Sequence, residues 1–106
     1  MLAEFSVAPM GEAATSLSAA VAEILQEIDA SGLPYEFHSM GTVVEGSWQE
    51  VMALIERCHV IALRYGPRVS TAIKIDDYAG RVSRLSGKVE SVERIVGKKL
   101  GRTRNT

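Results

Sequence analysis

The chain has 106 residues, enough for one compact domain and too few for two, so we predict a single domain over residues 1–106. Hydrophobic residues make up 46% and charged residues 24%, which is a globular rather than a disordered composition. Twelve basic residues against 13 acidic ones leave a net charge of −1, which argues against a dedicated nucleic-acid binder. The single cysteine, Cys58, excludes an intramolecular disulfide and a cysteine-rich zinc site.

The chain shows neither a membrane span nor a signal peptide. No segment approaches the roughly 18 uninterrupted apolar residues that a membrane span needs. The first ten residues contain no basic residue, and Glu4 interrupts their short apolar run, unlike a signal peptide. We therefore expect a cytoplasmic protein with no membrane partner and no nucleic-acid partner.

The chain begins with a predicted strand and a predicted helix. Residues 2–8 alternate with a period of two, and Pro9 to Gly11 are expected to end that strand. Thr15 or Ser16 is a plausible N-cap for the helix, and Gly32 is its expected left-handed C-terminal cap. The predicted buried stripe of this helix has helical spacing and consists of Leu17, Val21, Ile24, Leu25 and Ile28.

Two short strands and a sharply starting helix follow. Residues 35–38 and 42–46 are predicted as strands joined by a tight connection at Gly41. Ser47 and Glu50 have the spacing of a capping box, which predicts the start of a second helix. The buried stripe of that helix is expected to be Val51, Leu54, Ile55, Cys58 and Ala62.

The last part of the chain is predicted as a strand and a third helix. Residues 68–76 alternate clearly between the two faces of a sheet. From about Gly87, one helical face collects Val89, Val92, Ile95, Val96 and Leu100. The order strand, helix, strand, strand, helix, strand predicts an α+β, ferredoxin-like βαββαβ sandwich with an additional C-terminal helix. Several residues of its open sheet face are apolar, so we expect another subunit, the extra helix or both to cover it.

Motifs for common chemistries are missing from the sequence. It has no GxxxxGK[ST], no GxGxxG after a strand and no HExxH. The two histidines, His38 and His59, are far apart and are expected to be packed or surface residues. Cys58 lies on an apolar stripe and is expected to be a small buried hydrophobe rather than a nucleophile. We predict no catalytic residue and no enzyme activity, because no nucleophile lies beside a base. No metal site is predicted either, because the adjacent carboxylates of Asp76 and Asp77 would point to opposite faces of a strand.

RNA binding is a further candidate function, because RRM domains share this order of elements. Those domains stack bases on exposed aromatic residues of the two central strands. Phe5 is available on the first strand, but residues 42–45 offer no aromatic side chain. The sequence therefore argues against RNA binding.

A set of polar residues remains near predicted buried positions. Ser16 and Ser18 lie at the start of the first helix, and Thr42 and Glu45 lie on the third strand. Glu45 also has a structural explanation in place of a functional role: it pairs with Lys74 across the sheet or caps the following helix. From the residues alone, that structural alternative is favoured.

Five segments together resemble the small thiamine-binding, YkoF-like family. They occur in order along nearly the whole chain and are residues 9–11, 15–18, 40–46, 68–77 and 88–92. Each segment alone is short, whereas their order and spacing together are fairly specific. The resemblance implies a ferredoxin-like fold and a homotetramer built as a dimer of dimers through sheet edges and open faces. It also implies binding of thiamine or its hydroxymethylpyrimidine part, with no catalytic reaction established.

The resemblance directs the prediction to a ligand site between the sheet and the first helix. The expected ligand-binding residues are Ser16, Ser18, Met40, Thr42 and Glu45. Hydroxyls and a carboxylate suit the amino group and ring nitrogens of the aminopyrimidine, and Phe5, Met40 or Trp48 could cover the rings.

The leading function is thus a vitamin B1 binding protein that acts in salvage, delivery or sensing. Thiamine or a related pyrimidine is its candidate ligand, and no other cofactor is expected. The alternative is an oligomeric interaction module without a thiamine ligand. A polar cavity would favour the binding protein, and a cavity filled by side chains would favour the module.

Overall fold

The computed structural model describes residues 1–11 and 17–79. Four strands form one antiparallel sheet in the order β2-β3-β1-β4, with two helices on one face. The elements are β1 (Leu2–Met10), α1 (Leu17–Ala30), β2 (Tyr35–His38), β3 (Gly41–Glu45), α2 (Trp48–Leu63) and β4 (Arg68–Asp76). This order confirms the predicted ferredoxin-like fold.

Some predictions fall outside the described ranges. The C-terminal helix expected from about Gly87 lies there, as do the N-cap candidates Thr15 and Ser16. Among the described helices, none combines the length and the apolar character needed to cross a membrane.

The central strand β1 has very different neighbours on its two sides. It pairs with β4 along all nine of its residues, from Leu2 opposite Asp76 to Met10 opposite Arg68. It pairs with β3 along only Leu2–Phe5, because β3 begins at Gly41. The second half of β1 therefore borders a gap in the sheet on the β3 side.

The prediction that Pro9 ends the first strand is wrong. Pro9 pairs with Val69 of β4, and the strand continues through Met10. Met1 and Gly46 exchange two hydrogen bonds, with N···O distances of 2.7 and 3.1 Å. These bonds show which residues of β1 direct their backbone groups toward β3. Backbone groups of its odd-numbered residues point toward β3, and those of its even-numbered residues point toward β4. The N–H that Pro9 lacks would therefore face the gap, so proline removes no hydrogen bond to β4.

The core lies between the helices and the sheet and is densest under α2. The predicted stripe of α2 is confirmed, since all five of its members are buried. The stripe of α1 is rotated relative to the prediction. Ala20, Ile24 and Ile28 are its buried residues, whereas Leu17 is 57% exposed. Leu17 and Val21 consequently lie along a flank of α1 rather than at its centre.

The start of α2 and the end of α1 have the caps that their sequences predict. The Ser47 hydroxyl accepts a hydrogen bond from the Glu50 N–H at 3.1 Å, and the Glu50 carboxylate accepts one from the Ser47 N–H at 3.0 Å. This confirms the capping box of α2. Gly32 has a φ of 76°, which confirms the left-handed cap after α1.

The exposed surfaces of α1 and α2 are linked by charged pairs. Arg57 lies 2.6 Å from Glu27, and Arg64 lies 2.6 Å from Glu23, which also accepts a hydrogen bond from the Tyr65 hydroxyl. That hydrogen bond raises the pKa of Tyr65. Exposed pairs of this kind contribute about 1 kcal/mol or less each, so the apolar core, not these pairs, holds the helices on the sheet.

The open face of the sheet mixes apolar and charged residues. Glu36, Val43, Glu4 and Lys74 follow one another across the four strands, so charge occupies the middle of this face. The His38 Nε2 lies 3.9 Å from a Glu4 carboxylate oxygen. The apolar residues expected there are present, including Leu2, Ala8 and Ala72. Coverage of this face by another subunit stays a prediction.

Candidate functional site

A pocket of about 200 Å³ occupies the gap beside the second half of β1. One wall is β1 from Phe5 to Ala8, and a second is the end of β2 with the β2–β3 turn, from Phe37 to Thr42. The third wall is the flank of α1, which contributes Leu17, Val21, Ile24 and Leu25. The pocket therefore lies between the sheet and the first helix, which is where a ligand is expected.

The pocket is small and mainly apolar, with an aromatic side chain in each of its strand walls. Phe5 is only 3% exposed, and Phe37 stands partly exposed on the second wall. Pockets for drug-sized molecules usually measure about 300–1,000 Å³, so this one suits a single ring better than two. Aromatic side chains in the lining favour a planar ring as the occupant.

Thr42 supplies a polar group within these apolar walls. It is 4% exposed and is the one buried polar residue among those the structure describes. No described residue forms a hydrogen bond with its hydroxyl. Every fully enclosed side-chain oxygen in the described residues does have a hydrogen-bond partner, so the Thr42 hydroxyl is not fully enclosed. The hydroxyl therefore borders the pocket space. A ligand group that pairs with this hydroxyl would add one hydrogen bond, worth about 0.5–1.5 kcal/mol.

Gly41 allows the turn to approach β1 closely. Its φ is 156°, and a Cβ atom built there would lie 2.8 Å from the Phe5 carbonyl oxygen. That contact is with backbone and cannot be relieved by a side-chain rotation. Glycine is therefore required where β3 begins, and this close approach sets the edge of the pocket.

The structure brings together part of the predicted ligand-binding set. Met40, which is 83% exposed, and Thr42 both line the pocket. Ser18 is exposed in the first turn of α1 and is not part of the lining, and Ser16 lies outside the described residues. Ligand contacts by these residues stay a prediction.

Glu45 is not placed with Thr42. The two are three positions apart on β3, about 10 Å along the strand, and an odd separation puts their side chains on opposite faces. Glu45 pairs with Leu2, which in turn pairs with Asp76. Neither the expected proximity to Thr42 nor a direct cross-strand pair with Lys74 therefore occurs, because the strand alternation and register oppose both.

Several residues that line the pocket are not in the ligand-binding set predicted from the sequence. Phe37 shares a face of β2 with Tyr35, whose hydroxyl donates to Asp29 of α1, so the alternation of β2 could have identified it. Val21 and Leu25, predicted as members of the buried stripe of α1, line the pocket. Trp48, a candidate ring cover, is 54% exposed at the start of α2 and does not line it.

The residues considered for catalysis or metal binding lie elsewhere. Cys58 is fully buried on the inner face of α2. Desolvation raises the pKa of its thiol to about 11, so little reactive thiolate forms near neutral pH. The His59 Nδ1 lies 2.7 Å from the Thr71 hydroxyl and links α2 to β4. Within residues 1–11 and 17–79, no group of three or more potential ligands from His, Cys, Asp and Glu could hold a metal ion. Phe5 is buried and is unavailable for stacking on RNA bases.

Comparisons with known proteins agree with a small ligand-binding domain of ferredoxin-like fold. A family model described as thiamine-binding protein matches residues 3–93, so the chain belongs to this family. It is 38% identical over 95 residues to a UPF0045 protein of Mycobacterium bovis, covering 89% of this chain and 92% of that relative. It is 34% identical over 98 residues to the UPF0045 protein YqgV of Bacillus subtilis, covering 88% and 94%. None of these descriptions names an enzyme.

Solved structures show the same fold. A hypothetical protein from Methanocaldococcus jannaschii has a TM-score of 0.75 and 27% identity, covering 86% of this chain and 93% of that one. A Thermotoga maritima protein, provisionally assigned to thiamine biosynthesis or salvage, has a TM-score of 0.73 and 23% identity, covering 86% and 96%. These structures show the shared fold, and the family membership supports a role in binding a small ligand.

Proposed function

We propose that this protein binds the hydroxymethylpyrimidine part of thiamine, either free or within thiamine, and acts in vitamin salvage, delivery or sensing. The observation that carries the proposal is a ring-sized apolar pocket lined by Thr42, whose hydroxyl has no partner among the described residues, in a chain of the thiamine-binding family. The provisional assignment of the Thermotoga maritima neighbour supports the same ligand class. The pocket is not filled by side chains, which disfavours the interaction module, although its lining is mainly apolar rather than polar as expected for the binding protein.

The size and charge of the pocket favour the pyrimidine over the thiazolium ring. About 200 Å³ suits one ring. The thiazolium carries a fixed positive charge, and the described lining includes no carboxylate that could offset it. The neutral pyrimidine therefore enters the pocket, and the charged ring of thiamine stays at the mouth near the exposed Met40.

Thr42, Phe5 and Phe37 supply the contacts this ring needs. The Thr42 hydroxyl can donate to a ring nitrogen or accept from the amino group. The aromatic residues give the ring apolar neighbours, one from the buried part of the wall and one near the surface. One hydroxyl in an apolar pocket fixes the orientation of the ring without requiring a charged partner.

Titration calorimetry with hydroxymethylpyrimidine, thiamine and thiamine phosphate tests this function. We expect saturable binding near one ligand per chain, with similar affinities for the first two. The variant Thr42→Val keeps the volume but removes the hydroxyl, so affinity should fall about tenfold. Thr71→Val is the matched control, because Thr71 lies on β4 against His59 and outside the pocket lining. An absence of binding heat with all three ligands would overturn the proposal.

We further propose that the protein assembles in the cytoplasm as a homotetramer, a dimer of dimers. Within the described residues, no strand pairs with the outer edge of β4, where Ile73 and Ile75 are 40% and 37% exposed. A long free edge with apolar side chains favours pairing with another chain. Sedimentation at micromolar concentration should show a species several times larger than the 11.5 kDa chain, and a strict monomer would contradict assembly.

A further inference from the structure

The edge of β1 that faces the pocket carries backbone groups without a strand partner. Odd-numbered residues of β1 direct their N–H and C=O groups toward β3, as the bonds between Met1 and Gly46 show. Phe5 is the last of them with a partner on β3, which is Thr42. Val7 is next, and β3 does not extend far enough to reach it. No residue in the described ranges forms a backbone hydrogen bond with Val7 on this side.

Val7 is also the one residue of this free edge that presents both a donor and an acceptor. The next odd-numbered residue is Pro9, which has a C=O but no N–H. Val7 is half-buried and lines the pocket. Polar backbone groups in such positions normally have partners.

We propose that the Val7 N–H and C=O form a two-point backbone site for a ring that carries an amino group next to a ring nitrogen. In a hydrogen-bonded pair of an antiparallel sheet, one residue exchanges both bonds with the residue opposite. The ring occupies the position opposite Val7 that β3 does not reach. Its nitrogen accepts from the Val7 N–H, and its amino group donates to the Val7 C=O. This inference rests on the proposed function and specifies what the pocket recognises.

The site discriminates between amino and oxo rings. When an oxo group replaces the amino group, the neighbouring ring nitrogen carries a hydrogen. An acceptor then faces the Val7 C=O, and a donor faces the Val7 N–H. Both contacts become repulsive, and sites built on buried polar groups reject such ligands strongly. We expect the 4-oxo analogue of hydroxymethylpyrimidine to bind at least about tenfold more weakly than the 4-amino compound.

Calorimetry on two variants of Val7 tests the backbone contact directly. Val7→Pro removes the N–H that faces the pocket and leaves the bonds to β4, which come from even-numbered residues. Val7→Ala is the matched control, because it shortens the side chain and keeps the N–H. Relative to Val7→Ala, Val7→Pro should weaken hydroxymethylpyrimidine binding at least about tenfold.

The outcomes separate this inference from the function on which it rests. Equal affinities of the two variants, or of the amino and oxo rings, would overturn the backbone site while wild-type binding upholds the proposed function. A wild-type protein that binds neither ring would overturn both.

Amide exchange measured by NMR on the wild-type protein provides a second test that does not depend on the folding of Val7→Pro. Saturation with hydroxymethylpyrimidine should slow exchange of the Val7 amide at least about tenfold, because a bound ring replaces water as its partner. The Ala8 amide, which faces Ser70 of β4, is the internal control and should not change. Unchanged exchange at Val7 in the saturated protein would overturn the inference.

Discussion

The two sides of β1 differ in how fully they are paired, although they belong to one strand. On the β4 side the ladder is complete over nine residues, and α2 covers it with fully buried side chains such as Leu54 and Cys58. On the β3 side pairing stops at Phe5, and the partly exposed flank of α1 lies over a pocket. The continuous side supports the fold, whereas on the interrupted side the Val7 backbone groups have no partner among the described residues.

This difference implies that stability and binding can be altered separately. Among the described residues, the Thr42 hydroxyl and the Val7 backbone groups on the β3 side make no hydrogen bond, whereas the layer under α2 is densely packed. Substitutions under α2 should change the free energy of unfolding with little effect on affinity. Substitutions around the pocket should do the reverse.

The largest expected effect is on stability and lies under α2. Leu54 is fully buried, so Leu54→Ala should lower the free energy of unfolding by about 2–5 kcal/mol, measured by urea titration. The folded fraction should keep its affinity for hydroxymethylpyrimidine. Leu63→Ala, at the exposed end of the same helix, should change stability by less than about 0.5 kcal/mol. Equal losses in the two variants would contradict the assignment of the core to this side.

Two exposed serines extend the comparison to the loops. Ser47→Ala removes the N-cap of α2 and should cost about 1 kcal/mol of unfolding free energy. Ser39→Ala changes the β2–β3 turn at the pocket and should change stability by less than about 0.5 kcal/mol. Thermal unfolding of both variants measures the difference. A larger loss at Ser39 would show that the pocket end contributes more to stability than its pairing indicates.

On the pocket side, Leu17 should affect binding more than folding. Because Leu17 is 57% exposed, Leu17→Ala should change the free energy of unfolding by less than about 0.5 kcal/mol. It removes part of the α1 wall, so affinity for hydroxymethylpyrimidine should fall roughly threefold to tenfold. Val60→Ala, an exposed apolar residue of α2 outside this pocket, is the control and should leave affinity unchanged.

The α2 side of the molecule was predictable because local and tertiary signals agree there. The capping box at Ser47 and Glu50, the apolar stripe of α2 and the alternation of β4 are each complete within a short segment. Packing then buries the apolar stripe of α2, whereas the apolar side of β4 is half-buried only at Val69 and Thr71. Such agreement across levels is typical of elements that support a fold.

The pocket side was predicted less well because its main features depend on register. Pro9 can remain in β1 because β3 is too short to pair with it. The residues around Pro9 do not reveal how long β3 is. The free edge at Val7 has the same origin. The separation of Thr42 and Glu45 is different, since the alternation of a single strand already places them on opposite faces. Motif membership had grouped two residues that the strand geometry separates.

The smallest effect we predict is a pH dependence at the start of α2. The hydrogen bond from the Ser47 N–H lowers the pKa of Glu50 from its ordinary value of 4.5. Since the unfolded chain lacks this bond, the stabilisation is complete above the ordinary pKa and is lost as pH falls through the lowered value. Glu50→Gln keeps a hydrogen-bond acceptor but does not titrate, so it is the matched reference. The stability advantage of the wild type over Glu50→Gln should shrink on acidification in thermal unfolding experiments, and a constant advantage across pH would show that the charged cap does not contribute.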